Sequence, residues 1–262
     1  MAERPLLVVE DLRKAFGGVH AVAGVRFALM RGDVLAVIGP NGAGKTTLFN
    51  LLSGHLVCDS GAIRFKGERI DGMSPPRIWR KGISRTFQVP ATFASLTARE
   101  NVQVALLSGQ GKSHAMLTPA TRWLGEAAMS LLARVGLSER ADAVCGTLSL
   151  SDMKRCELAV ALAGEPTLLL LDEPTAGMSG EERGSLIDLI AMIVRERQLT
   201  VLFTEHDMDV VFEHADRILV LNRGSLIAEG TPEQVRANAD VRAIYLGEGL
   251  LYDARHREGA GA

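Results

Sequence analysis

Gly39-Pro40-Asn41-Gly42-Ala43-Gly44-Lys45-Thr46 is the most informative stretch of this sequence. It matches the pattern G-x4-G-K-[ST], and it stands between an apolar run over residues 33–39, typical of a buried strand, and a predicted helix over residues 46–53. Glycines let backbone N–H groups point at phosphates, and a helix N-terminus adds the positive end of its dipole. The stretch therefore predicts a phosphate-binding loop, in which Lys45 reaches the β- and γ-phosphates of a nucleotide and Thr46 ligates Mg²⁺.

An acidic pair, Asp172 and Glu173, closes a second apolar run over residues 167–171. Asp172 is predicted to organise the metal, and Glu173 is predicted to polarise the attacking water as a general base. Taken alone, the pair also fits the solvated end of a strand. The phosphate-binding loop earlier in the chain favours the catalytic interpretation, so the two motifs together predict a nucleotide-hydrolysing site.

Length and composition narrow the function classes. The 262 residues include 29 Lys and Arg against 31 Asp and Glu, and this balance argues against a dedicated nucleic-acid binder. A hydrophobic fraction of 47% excludes fibrous and disordered classes. Neither a signal peptide nor a membrane span is expected, because the N-terminal stretch lacks a basic region and no apolar run approaches 18 residues. Cys58, Cys145 and Cys156 lack metal-site spacing, and their odd number fits a reducing compartment.

Periodicity around these motifs predicts an α/β chain with a mostly parallel sheet, because buried strands alternate with helices. Residues 95–164 have a helical character, apart from a polar loop predicted over residues 110–119. A capping-box pattern predicts a helix start at Thr97, and Ser179 is predicted to cap another helix. Thr231 is predicted to open a short C-terminal helix, with Pro232 at its first position. Strands are predicted over residues 6–10 and 21–30, around a turn at residues 17–18, and over residues 33–39, 167–171 and 200–204. Two hairpins are predicted, one over residues 61–70 with its turn near residues 66–67 and one over residues 217–229 around residues 222–224.

With these motifs in place, the chain resembles the ATP-binding subunit of an ABC transporter, and more narrowly the branched-chain (hydrophobic) amino acid uptake group. The resemblance covers residues 6–248 and rests on the stretches LRKAFGGVHAV, GPNGAGKTTLFNLLSG, ISRTFQ, LLLLDEPTAGM, TEHDM and GTPEQVRANADVRAIYLGEG. The AGM after the DEP run and the ending Tyr245-Leu246-Gly247-Glu248 point to the amino acid group. The implied fold is one domain: a P-loop NTPase core with an antiparallel β subdomain (residues 1–88 and 165–248), a helical subdomain (89–164) and a tail (249–262).

The resemblance also implies roles for single residues. Phe16 matches the aromatic side chain that stacks on adenine, although an apolar residue beneath the N-terminal strands is the alternative. Gln88 matches the loop glutamine that contacts Mg²⁺ or water, and His206 matches the histidine that faces the γ-phosphate. Residues 176–178 match a loop at the dimer interface. The residues expected to contact ATP are Phe16, Gly39, Pro40, Asn41, Gly42, Ala43, Gly44, Lys45, Thr46, Thr47 and Ser149. The expected catalytic residues are Lys45, Gln88, Glu173 and His206, and those expected at Mg²⁺ are Thr46, Gln88 and Asp172.

The family signature, typically LSGGQ, departs from its pattern here as Leu148-Ser149-Leu150-Ser151-Asp152. Ser149 is retained and is expected to contact the γ-phosphate of ATP held by an opposite subunit. Ser151 replaces a glycine, so its Cβ is expected to hold the chain away from phosphate or to strain it. The carboxylate of Asp152 would compete with phosphate for the helix N-terminus. Harmless drift and a weak site in a dimer with a non-identical partner are both open interpretations.

The implied partners are transmembrane permease subunits, a second ATP-binding subunit in a homo- or heterodimer and, indirectly, a solute-binding protein, while no nucleic acid is expected. The implied place is the cytoplasmic face of the bacterial inner membrane. Val89, Phe93 and Leu96 are expected to form a groove for a permease helix, with core packing as the alternative. Trp79 and Trp123 are expected to be packing residues.

Three other functions are alternatives. The ATPase of a lipid-export complex shares most of these motifs and differs in its membrane partner. A soluble ABC ATPase of the translation type would carry two ATP domains, whereas this chain has one phosphate-binding loop. A DNA-repair ATPase would need a long coiled coil, and the stretch between Gln88 and Leu148 is too short to hold one.

Overall fold

The computed structural model describes residues 4–88, 90–109 and 120–246, which divide into two units. The described residues of the first unit are 4–52, 56–72 and 203–246, and those of the second unit are 53–55 and 73–202, with the gaps given above. In chain order, the strands and α-helices are β1 (Leu7–Phe16), β2 (Val19–Leu29), β3 (Val34–Ile38), α1 (Lys45–Leu52), β4 (Ser60–Phe65), β5 (Glu68–Arg69), α2 (Pro75–Lys81), β6 (Ile83–Arg85), α3 (Ala98–Gly109), α4 (Ala120–Arg134), α5 (Leu150–Leu162), β7 (Leu168–Asp172), α6 (Gly180–Arg197), β8 (Thr200–Thr204), α7 (Met208–His214), β9 (Arg217–Asn222), β10 (Ser225–Gly230), α8 (Pro232–Ala237) and α9 (Ala239–Leu246).

The first unit contains a four-stranded antiparallel sheet in the order β2-β1-β4-β5. Phe16 pairs with Val19 across one two-residue turn, and Phe65 pairs with Glu68 across another, so both predicted turns are confirmed. β1 continues to Phe16, beyond its predicted end at residue 10. The backbone of Asp11 has a φ of 46°, and a bulge there carries the strand past the point where the apolar alternation breaks.

The first unit also holds the strand and helix that flank the predicted phosphate-binding loop. β3 lies parallel to β9, and β9 pairs antiparallel with β10, which confirms the second predicted hairpin. Leu35 and Ile38 of β3 are buried, as are Leu48 and Phe49 of α1. Since the apolar side chains on both sides of the loop are anchored in the core, the ends of the loop are fixed.

The second unit combines the parallel pair β6 and β7 with helices α2 to α6. At the start of α3, the Thr97 N–H donates to Glu100 Oε2 (2.8 Å) and the Glu100 N–H donates to Thr97 Oγ1 (3.2 Å). The same reciprocal capping starts α6 at Ser179 and, in the first unit, α8 at Thr231. The three predicted helix starts are therefore confirmed, and each of them has a capping box. The predicted loop 110–119, residues 247–248 and the tail 249–262 lie outside the described residues.

Three short elements, α2, β6 and α7, escape the sequence prediction because three to seven residues are too few to show a periodicity. The ring of Trp79 in α2 packs against Gly164, where an added Cβ would lie 2.6 Å from it, so its predicted packing role is confirmed. The side chain of Trp123 lies outside the described residues. All three cysteines are free. Among residues 4–88, 90–109 and 120–246, no helix is both long enough and apolar enough to cross a bilayer.

Candidate functional site

The loop between β3 and α1 is held by backbone hydrogen bonds and has no room for a side chain at Gly44. The N–H of Ala43 donates to the carbonyl of Pro40 (3.0 Å), and the carbonyl of Ala43 accepts from the N–H of Gly224 (2.9 Å). Gly44 has a φ of +105°, and a Cβ there would lie 2.1 Å from the carbonyl oxygen of Ala21. Only glycine fits this position, so the shape of the loop depends on it.

Lys45 and the two threonines after it begin α1 at the end of this loop. The buried Nζ of Lys45 donates to the carbonyl oxygens of Gly39 (2.6 Å) and Pro40 (3.2 Å), which places the ammonium group over the loop. Thr46 is exposed and Thr47 is half-buried. A buried ammonium group beside a helix N-terminus and an exposed hydroxyl form a donor set that suits polyphosphate and Mg²⁺. These residues therefore suit the ligands predicted for them, which are the phosphates of a nucleotide and Mg²⁺.

Phe16 and His206 are the other predicted site residues of the first unit. Phe16 ends β1 with 49% of its surface exposed, and the Nζ of Lys14 lies 5.5 Å from its ring centroid. The alternative that Phe16 packs beneath the N-terminal strands is therefore wrong, and its ring offers a face for stacking. His206 follows β8 and is exposed, and its N–H donates to Oε2 of the buried Glu205 (3.2 Å).

In the second unit, Asp172 forms a buried ion pair with Arg85. Nη2 of Arg85 lies 2.7 Å from Oδ2 of Asp172, and the two side chains are 6% and 7% exposed. Arg85 also donates through Nη1 to Oγ of Ser53 (3.0 Å), and its guanidinium lies 4.9 Å from the ring centroid of Phe87. The Asp172 carboxylate is thereby oriented at the end of β7, and a carboxylate is the ligand type that Mg²⁺ prefers.

Glu173 contacts Gln88, so the structure brings two of the predicted catalytic residues together. Nε2 of Gln88 donates to Oε2 of Glu173 at 2.7 Å. The backbone of Glu173 has a φ of +48°, which is uncommon for any residue with a side chain. Such conformations cost about 1–3 kcal/mol and are concentrated at active sites. The combination of an unusual backbone and an oriented carboxylate suits a general base.

The backbone next to Gln88 is held by two buried charged side chains of α5. Oε1 of Glu157 accepts from the N–H of Phe87 (2.8 Å) and from that of Ala91 (3.3 Å). Nζ of Lys154 donates to the carbonyl of Gln88 (2.8 Å) and to that of Phe87 (3.3 Å). Burial raises the pKa of Glu157 to about 7, although the two N–H donors and the Lys154 and Arg85 charges act in the opposite direction.

Ser149 is the N-cap of α5, and its Oγ accepts from the N–H of Asp152 (3.1 Å). The side chain of Ser149 is exposed, so its hydroxyl is accessible to a ligand. Ser151 lies inside the first turn of α5 and is not among the residues with a positive φ. The expectation that Ser151 strains the backbone is therefore wrong, because a right-handed helical conformation suits any L-residue. Its effect on the approach of phosphate stays a prediction.

Phe93 presents an exposed aromatic ring on an ordered loop. The ring is 58% exposed, and so core packing is wrong for this residue. Asn101 fixes the loop, because its Oδ1 accepts from the N–H of Phe93 (2.7 Å) and its Nδ2 donates to the carbonyl of Phe93 (3.1 Å). Leu96 is half-buried, and Val89 lies outside the described residues. The predicted docking groove stays a prediction, with Phe93 as its exposed member.

A cavity of about 280 Å³ also opens on the second unit. Ile78, Trp79 and Phe87 give it apolar walls, and His55 and Arg85 supply its polar side. Burial, together with the Arg85 charge, lowers the pKa of His55, which favours the neutral ring. The cavity is therefore suited to an apolar side chain flanked by a hydrogen-bonding group.

The roles of Arg85, Lys154 and Glu157 were not predicted from the sequence. Arg85 belongs to a quoted motif, but nothing in its spacing pointed to Asp172. Lys154 and Glu157 stand three residues apart in a helix whose neighbours Cys156 and Leu158 are buried. A pair of opposite charges on the buried part of a helix is a signal for a polar network, since unpaired charges are rarely buried.

Comparison with known proteins agrees with the resemblance. A family model described as ABC transporter matches residues 22–176, and one described as branched-chain amino acid ATP-binding cassette transporter matches residues 225–250. The high-affinity branched-chain amino acid transport ATP-binding protein BraF of Pseudomonas aeruginosa is 43% identical over 252 residues, covering 94% of this chain and 99% of that protein. LivG of Escherichia coli, of the same description, is 40% identical over 253 residues with the same coverage. A solved nucleotide-free ATP-binding cassette from an ABC transporter has a TM-score of 0.82 at 30% identity, covering 92% of this chain and 99% of that one.

Proposed function

Because this chain belongs to the ABC transporter family of ATP-binding proteins, we propose that it hydrolyses ATP to drive the import of branched-chain or other hydrophobic amino acids through partner permeases. Identity of 43% over 94% of the chain to a branched-chain amino acid transport protein is the observation that carries this proposal. The predicted fold class, an ABC ATPase of the P-loop type, is confirmed by the solved relative. The chain is accordingly an ABC-type ATPase.

The first unit supplies residues suited to the nucleotide itself. The backbone of residues 39–47 and the Lys45 ammonium bind the phosphates, and the Thr46 hydroxyl holds Mg²⁺. His206 faces the γ-phosphate, and the exposed ring of Phe16 stacks on adenine. The position of Lys45 over the loop and the exposure of Phe16 support these roles. When bound, Mg²⁺ neutralises charge on the phosphate oxygens.

The second unit supplies residues suited to the metal and the attacking water. Asp172 holds Mg²⁺ through its oriented carboxylate, with Gln88 as a further ligand. The Glu173 carboxylate accepts a proton from water as that water attacks the γ-phosphate. The hydrogen bond from Gln88 supports this role, because it keeps Oε2 of Glu173 in one orientation. A positioned base of this kind contributes roughly 10²–10⁴-fold to a rate.

A second ATP-binding subunit completes the functional ATPase dimer. In such a dimer, the exposed hydroxyl of Ser149 donates to the γ-phosphate of the ATP held by the other subunit, across the interface that residues 176–178 also reach. Replacing Ser151 by Gly together with Asp152 by Gln restores the second glycine and the glutamine of the usual signature. Faster turnover of the assembled complex would support a weak site, whereas unchanged turnover would favour harmless drift.

Permease subunits place the protein at the cytoplasmic face of the membrane, and a solute-binding protein delivers the solute to them. Phe93 and the cavity beside Phe87 are suited to the apolar side of a permease helix. A Phe93→Ser variant is expected to lose co-purification with the permeases and to keep its fold. Met192→Ser is the matched control, because Met192 is 41% exposed on α6 of the same unit.

Uptake of radiolabelled leucine by cells that lack the gene tests the proposal. Wild-type protein is expected to restore uptake, while Lys45→Ala protein at equal abundance is not. Unchanged uptake of every hydrophobic amino acid in the deleted cells would overturn amino acid import. Affinity purification from native membranes then separates the alternatives. A lipid exporter as the partner or recovery with soluble factors alone would each replace the proposed partner while leaving the ATPase chemistry in place.

A further inference from the structure

Lys154 and Glu157 have no part in the proposed chemistry, yet both are buried at 4% exposure beside Gln88. They contact the Gln88 segment, whose described residues are Phe87, Gln88, Pro90 and Ala91. Lys154 donates to two of its carbonyl groups, and Glu157 accepts from two of its N–H groups. Every one of these contacts is to main chain, so it fixes the path of the backbone whatever the side chains of the segment are.

We propose that Lys154 and Glu157 are positioning residues that fix the backbone of the Gln88 segment, so that Gln88 holds the Glu173 carboxylate in the orientation that hydrolysis needs. This inference rests on the proposed ATPase function. Gln88 is exposed, and an exposed glutamine on an unrestrained loop samples several rotamers. Fixing its main chain from both the donor and the acceptor side reduces that freedom. The hydrogen bond of 2.7 Å from Gln88 to Glu173 is the result.

The same helix connects this segment with the candidate signature. Ser149 caps α5, and Lys154 and Glu157 follow five and eight residues later. At about 1.5 Å per residue, they lie roughly 8 and 12 Å along the helix from the cap. Because α5 is a continuous helix between these points, Ser149 and the two side chains that hold the Gln88 segment belong to one secondary-structure element.

Substitution of each residue in the full-length chain tests the inference. Lys154→Met and Glu157→Leu are expected to lower kcat for ATP hydrolysis at least tenfold, with KM within about twofold, because misplacement of a base by an ångström costs up to about 10²-fold. Lys154→Arg and Glu157→Gln keep a donor and an acceptor, and they are expected to recover kcat to within about threefold. Arg155→Met is the matched control, because Arg155 lies on the same helix and donates to Val135 and Ser185 instead.

Amide hydrogen exchange, measured on the wild-type protein as well as on the variants, distinguishes the possible outcomes of these substitutions. The amides of Phe87 and Ala91 are expected to exchange slowly in wild-type protein and in Arg155→Met, and quickly in Glu157→Leu. If these amides exchange at the rate of an unstructured peptide in wild-type protein, the inference is overturned even where the variants do not fold. Folded Lys154→Met and Glu157→Leu proteins with the kcat of Arg155→Met would overturn it too. A wild-type chain without ATPase activity would refute the proposed function instead, while the exchange rates still report on the contacts.

Discussion

Replacing Glu157 by Gln should remove a pH dependence of stability that the buried carboxyl gives to the wild-type protein. Burial raises the pKa of Glu157 from 4.5 to about 7. At pH values between these two, the folded protein therefore holds a proton that the unfolded chain has lost. The charged groups that face Glu157 are Lys154 and Arg85, which lower its pKa, and Cys156 is a further titratable neighbour. Glutamine keeps the shape and an acceptor oxygen but has no proton to lose.

The sign and the size of this pH dependence follow from the linkage between proton binding and folding. A carboxyl group whose pKa is higher in the folded state contributes stability that is fully present below pH 4.5 and is lost as the pH rises through about 7. Each tenfold change in proton affinity corresponds to about 1.4 kcal/mol. Between pH 4.5 and pH 8, the free energy of unfolding of the wild-type protein should therefore fall by roughly 3 kcal/mol relative to the variant.

Urea unfolding at half-unit pH intervals measures this difference. Titrations of all other groups cancel when the variant is compared with the wild type, provided that the dependence of the free energy on urea is the same for both. The free energy of unfolding of the variant, relative to that of the wild-type protein, should rise steadily between pH 5 and pH 8. Parallel stability profiles would refute the argument, because they would mean that Glu157 has its ordinary pKa and is hydrated.

Other substitutions test the site residues directly. Glu173→Gln should trap a dimer with bound ATP on size-exclusion chromatography, and a variant that stays monomeric in ATP would contradict the proposed mechanism. Gly44→Ala should abolish binding of a fluorescent ATP analogue, since its Cβ would meet a backbone carbonyl at 2.1 Å, and normal binding by this variant would show that the loop adapts. Arg85→Met should lower the unfolding free energy by about 3–5 kcal/mol, because it leaves the Asp172 carboxylate buried without its partner. Arg64→Met is the control, since its exposed ion pair is worth under about 1 kcal/mol, and equal losses in both would argue against the buried pair.

Much of the architecture was predictable from local patterns. The turn between β3 and α1, the three helix starts and the hairpins depend on residues within a few positions of one another, and the structure has them where the spacing indicates. The elements that escaped are short, as in α2, or continue through a bulge, as β1 does at Asp11. In both cases the signal that a pattern needs, several repeats of one period, is absent from the sequence.

The residues of the candidate site also fall into two groups, those that local sequence indicates and those whose contacts only the fold reveals. The sequence alone made Lys45, Asp172 and Glu173 candidates, because the motifs that indicate their chemistry consist of neighbouring residues. Only the fold revealed that Arg85 pairs with Asp172, which stands 87 positions away, and that Glu157 holds a backbone 70 positions away. Local sequence sets backbone conformation through sterics and short hydrogen bonds, whereas the partner of a buried charge is decided by which strands and helices pack together. That packing is a property of the whole chain and leaves no short pattern in the sequence.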